Sequence, residues 1–163
     1  MAVLPVLRWP DAVLSQVAGP VTDFAAAQVL AADMLATMYH AQGRGLAAPQ
    51  VGVSLRLFVM DATWKQDTPA PQVYVNPVIL SRSDVMATGP EGCLSLPGIT
   101  TDIPRATAIR LRWTDLGGAL HEADLTGFHA ICAQHEIDHL DGIVTLDRLS
   151  PEARAKAEAE YLA

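Results

Sequence analysis

Apolar residues recur at helical spacing early in the chain, where Phe24, Ala27, Leu30, Met34 and Met38 fall along one stripe. Thr22 and Asp23 supply a cap and first turn and Gly43 a stop, so the pattern predicts a helix from about Thr22 to His40. Beyond Gly45 the period changes. Residues 56–60, 72–76 and 109–113 carry β-branched, aromatic or alternating side chains and predict strands, the last with Ile109, Leu111 and Trp113 facing inward. Asp115-Leu116-Gly117-Gly118 predicts a hairpin turn into a further strand from about Leu120 to Leu125. A second helix begins near Thr126 and runs to Gly142, and Ser150 with Pro151 opens a short amphipathic helix at the C-terminal end. No linker or repeat interrupts this order. The expected architecture is one α+β domain over residues 1–163, with antiparallel sheets around a central helix and N-terminal and short C-terminal helices.

Composition narrows the classes of function. A chain of 163 residues, half of them hydrophobic, builds a core without disulfides or structural metals, so a bound metal is expected to serve chemistry. The net charge of −7 and the lack of a Lys/Arg block argue against direct nucleic-acid binding. The first residues lack a basic segment leading into a long apolar run, and no stretch has the length of a membrane span, which points to a soluble cytoplasmic protein. Two cysteines, Cys93 and Cys132, read as free thiols rather than a bridge.

The second predicted helix carries Gln134-His135-Glu136-Ile137-Asp138-His139-Leu140. Four residues turn a helix through about 400°, which leaves His135 and His139 on nearly one face, roughly 6 Å apart along the axis, within reach of one ion. Glu136 is offset by about 100°, poorly placed as a ligand but able to touch a water beside the ion. Two histidines under-coordinate a metal, and Glu91-Gly92-Cys93-Leu94-Ser95 offers a thiolate as third donor with a fourth position left open. In Gly43-Arg44-Gly45-Leu46-Ala47-Ala48-Pro49-Gln50, glycines and small residues form an extended edge suited to a peptide strand, and the Gln50 amide can point at a carbonyl oxygen. Alone, that segment is only a glycine turn into a strand.

In this order the three segments resemble the peptide deformylase family. The likeness extends to Trp9-Pro10-Asp11, Met38-Tyr39, Ile103-Pro104-Arg105 and Asp147-Arg148-Leu149-Ser150-Pro151, and so spans nearly the whole chain. The resemblance implies that Cys93, His135 and His139 hold one divalent metal, usually iron(II) in the cell and replaceable by zinc, nickel or cobalt. It implies that Glu136 is the acid/base, that Gln50 and the Leu94 N–H stabilise the oxyanion, and that the segment at Gly45 pairs with the substrate backbone. The implied reaction is removal of the N-formyl group from the formyl-methionine of new polypeptides, with release of formate.

Other residues stay open at this level. Asp138 and Arg105 either brace the helix against a strand or form a surface salt bridge. Phe128, Ile131 and Cys132 line a side-chain pocket, or Cys132 simply packs in the core. His40, His121 and His129 lack ligand-spaced partners and are expected at the surface. Arg44 stands where the family usually has an aliphatic residue, so its guanidinium either reaches water or meets a substrate anion. The second case would suit a different N-formyl or N-acyl substrate. A non-catalytic metal- and peptide-binding relative is a further alternative, and Glu136 argues against it. A zinc endopeptidase fits a cysteine ligand less well. The mixed-charge tail after Pro151 is poorly suited to docking at a ribosome, so a transient ribosome contact is only weakly supported.

Overall fold

A computed structural model describes all 163 residues. Helix α1 (Phe24–His40) is capped by the Asp23 carboxylate, which accepts from the Ala26 N–H at 3.0 Å. Its stop differs in detail from the sequence expectation. Gln42, with φ of 59°, takes the left-handed position expected of Gly43, and the Gly43 N–H closes the turn on the Met38 carbonyl at 2.9 Å.

Strands β1 (Gly45–Ala47), β2 (Leu57–Met60) and β3 (Gln72–Arg82) follow. Next come β4 (Met86–Glu91), β5 (Thr101–Ala106), β6 (Ala108–Thr114) and β7 (Leu120–Thr126). They form a five-stranded antiparallel sheet in the order β1-β2-β3-β6-β7 and a separate β4-β5 pair. Helices α2 (Gly127–Leu140) and α3 (Pro151–Leu162) complete the α+β fold.

The alternation of β2 places it between two helices. Leu57 and Val59 pack with Met34 and Met38 of α1, whereas Phe58 and Met60 pack with Ala133, Ile137 and Leu140 of α2. All four strand residues are buried. Strand β3 runs on well past Asn76, where the expected strand ended. Asn76 adopts φ of 49° at a register shift, and its side chain secures both the N–H and the carbonyl of Val21, at 2.8 and 3.0 Å. The β6–β7 hairpin turns as expected: the Asp115 carboxylate accepts from Gly117 and Ala119, both at 2.9 Å. Two strands escaped the sequence pattern, because Gly89 and Pro90 in β4 and Pro104 in β5 weaken strand character. A third core holds Leu14, Leu96 and Leu146 together, and the Tyr161 hydroxyl of α3 donates to the Trp9 carbonyl at 2.8 Å.

Candidate metal centre and its cleft

Ten of the fourteen residues of α2 are buried, including Gln134, His135, Glu136, Asp138 and His139. Such a polar helix survives burial only if its side chains are partnered. Gln134 fixes it to β5, donating to the Ala106 carbonyl at 2.9 Å and accepting from the Ala106 N–H at 3.2 Å. This anchorage sets the histidine face toward the loop after β4.

There the Cys93 Sγ and one nitrogen from each of His135 and His139 lie within 4.8 Å of one another, with Sγ 3.4 Å from His139 Nε2. Tetrahedral metal–sulfur and metal–nitrogen bonds place such donors about 3.3–3.7 Å apart. The Cys93–His139 pair has that spacing, and the His135 nitrogen lies close enough to close on the same divalent ion. His135 Nδ1 is turned away to Glu91 Oε1 at 2.9 Å, which leaves Nε2 for the centre. Burial and the neighbouring His135 hold His139 well below the usual imidazole range. That keeps the His139 ring neutral, as ligation requires, whereas burial of His135 is outweighed by Glu136, Cys93 and Glu91, which raise it, so His135 gives up a proton when it ligates.

A cavity of about 500 Å³ opens over the centre. Glu136 lines it, 4% exposed, and burial raises its pKa to about 7. Its Oε1 has no hydrogen-bond partner in the protein. Gly45 lies so close that a Cβ there would come within 2.5 Å of Glu136 Oε2 and 2.8 Å of Cys132 Sγ. Only glycine leaves this carboxylate room. Gln50, also buried, accepts from the Ala47 N–H at 3.0 Å through Oε1, which turns Nε2 toward Ser95 Oγ at 3.1 Å and Cys93 Sγ at 3.7 Å.

The family model for polypeptide deformylase matches residues 3–155. The chain belongs to this family. A peptide deformylase of Alkalilimnicola ehrlichii is 49% identical over 96% of this chain and 87% of its own length. One of Afipia carboxidovorans is 43% identical over 99% and 95%. The peptide deformylase structure from Legionella pneumophila superposes with a TM-score of 0.92 at 41% identity, covering 98% of this chain and 94% of the other. That of Thermus thermophilus gives 0.89 at 43% identity, covering 98% and 95%. The protein is thus a metal-dependent hydrolase of the deformylase type.

The deformylase centre is braced by Arg105 and Asp138, which the sequence singled out, together with Glu91 and Arg148, which it did not. Arg105 meets both oxygens of Glu91 at 2.9 Å and Asp138 Oδ2 at 2.6 Å, and Arg148 grips the far side of Asp138 at 2.7 Å. With the Arg105 and Asp138 side chains only 4% and 10% exposed, the pair is a buried brace rather than a surface salt bridge. Burial alone would lift Glu91, but hydrogen bonds from His135 and Arg105 overcome it and hold its pKa below the ordinary value. The signal for Glu91 was its place two residues before Cys93, the spacing that puts extended residues on one side. Arg148 and Ser95 gave no comparable signal.

Arg44, Gly45, Gln50, Leu94, Phe128, Ile131 and Cys132 all line the deformylase cavity. Cys132 also packs in the core, so pocket and core are one location, and burial pushes its thiol up into the protonated form. His139, Asp138 and Arg105 lie behind the cavity wall. His40, His121 and His129 are exposed. Arg44 does not simply extend into water: its guanidinium lies 5.0 Å over the Phe128 ring, with Nε buried and unpartnered.

Proposed function

We propose that residues 1–163 act as one catalytic domain that removes the formyl group from the N-terminal formyl-methionine of newly made polypeptides. The observation that carries this reading is the meeting of Cys93, His135 and His139 beneath a cavity walled by Glu136 and Gln50. Strand β1 pairs only with β2, so its other edge is free to take the substrate backbone at Gly45. Phe128, Ile131 and Cys132 then receive the methionine side chain, with Arg44 at the rim.

Held by Cys93, His135 and His139, one divalent ion, iron(II) in the cell with zinc, nickel or cobalt able to replace it, would supply Lewis-acid polarisation. Glu136 takes the proton from the attacking water and delivers it to the departing amine nitrogen. Its pKa of about 7 suits both jobs at neutral pH. Negative charge grows on the formyl oxygen as its carbon becomes tetrahedral. Gln50 Nε2 gives one hydrogen to Ser95 Oγ and makes only a long 3.7 Å contact to Cys93 Sγ with the other, and that second hydrogen and the Leu94 N–H turn to donate to that oxygen. Formate and a free amino terminus leave.

No helix is long and apolar enough to cross a membrane. The cytoplasm, where polypeptides are made, is the setting that this substrate implies. The tail helix mixes Glu152, Arg154, Lys156, Glu158 and Glu160, a charge pattern poorly suited to a transient ribosome contact. Formate release from formyl-Met-Ala-Ser under anaerobic iron(II) or nickel loading tests the reading. A fully metallated protein that releases none would overturn it.

A further inference from the structure

Two cations line the cleft, Arg44 and Lys65, in a chain whose net charge is −7. Neither belongs to an ion pair, although Arg56, Arg105, Arg110, Arg148 and Arg154 all do. The carboxylates that line the same cavity are otherwise disposed. Glu91 is taken by Arg105 and His135, and Glu136 faces the metal ligands and Gly45.

Arg44 is held in place from both ends. Its carbonyl accepts from the Asp61 N–H at 2.9 Å, and its guanidinium stacks on Phe128 at the start of α2. Stacking fixes the planar fork and removes much of the entropy lost when it grips an acceptor. A buried guanidinium N–H without an acceptor is rare, and here it borders the peptide cleft. Lys65 lines the same cleft, carried by Trp64, whose ring lies 5.6 Å from the Lys65 ammonium and whose Nε1 donates to the Gly43 carbonyl at 2.9 Å. Both cations are therefore tethered to the segment that precedes the substrate edge at Gly45.

We propose that Arg44, supported by Lys65, is a specificity-determining residue that selects formyl-methionyl peptides bearing a carboxylate close behind the methionine. This rests on the deformylase reading and refines its substrate class. The carboxylate has two sources, an acidic side chain on the following residue or the free end of a very short peptide.

The test compares kcat/KM for amidated formyl-Met-Ala-Ser, formyl-Met-Asp-Ser and formyl-Met-Lys-Ser with that for formyl-Met-Ala-Ser bearing a free carboxylate. A charge-assisted contact at a half-open site predicts a gain of roughly 10-fold for a carboxylate-bearing peptide over the neutral amide. The gain falls toward one in about 0.5 M salt and in Arg44→Gln, and is largely kept in Arg44→Lys. Affinities of the same peptides for metal-loaded Glu136→Gln, read by calorimetry without turnover, should follow the same order. The arm that shows the gain identifies the source of the carboxylate. Equal values across the panel, or a preference that persists in Arg44→Gln, overturn the proposal. Turnover of the neutral amide reports separately on deformylation itself.

Discussion

At the residue scale, the centre depends on side chains whose orientation is set by a second contact. Gln50 is the clearest example, since the Ala47 N–H holds its oxygen and thereby aims its nitrogen at the cleft. Loss of one oxyanion donor commonly costs about 100- to 1000-fold in turnover. Gln50→Ala should therefore retain measurable formate release reduced by that factor, with metal content unchanged. His135, Glu136 and His139 were legible because helical geometry alone brings them together. Glu91 was not, because its importance arises from a bond to His135 that crosses from the end of β4 to α2. Its place two residues before Cys93 was the only local hint, and the bond itself joins residues 44 positions apart. Arg44 was legible as an oddity but not in its posture, which depends on a ring 84 positions away, Phe128.

At the scale of elements, α2 is buried together with its charges because β5 answers them. Arg105 joins Glu91, behind one ligand histidine, to Asp138, next to the other. Removing this cation leaves two buried carboxylates without their shared partner, a change that typically costs about 3–5 kcal/mol. Urea unfolding of Arg105→Ala should show a loss of this size. A loss below about 1 kcal/mol would mean that the brace is incidental. The strand that carries Arg105 was also the hardest to foresee. A two-stranded ribbon with Pro90 and Pro104 has little β propensity of its own and persists through packing on the rest of the molecule. The long helices and β6–β7 were readable because their patterns are local, with Asp115 and the following glycines marking the turn. The continuation of β3 beyond Asn76 depends instead on Val21, far back in the chain.

At the scale of the whole molecule, the sheet lies between two helices, and the cleft opens where β1 and α2 meet. The far wall of this arrangement is tied by Tyr39 of α1, whose hydroxyl donates to Asp61 at 2.5 Å, while Asp61 also accepts from the Ala70 N–H. Burial and the Asp61 carboxylate both raise the Tyr39 pKa above its ordinary value. A tyrosine raised in this way contributes stability that is full below about pH 10 and declines as pH rises through its folded pKa. Tyr39→Phe should therefore be less stable at neutral pH, with a shallower loss above pH 10 in thermal melts. An alkaline limb identical to that of the parent would remove Tyr39 from the account. The overall α+β architecture followed from element order and periodicity, whereas the meeting of three separated segments at one cleft came from tertiary packing. In the proposed mechanism Cys93, His135 and His139 hold the ion while Glu136 moves the proton. Metal content and formate release measured together on Glu136→Gln test it most directly. About one ion per chain is expected, as in the parent, with formate release lower by at least about 100-fold. Parental turnover in that variant would contradict it.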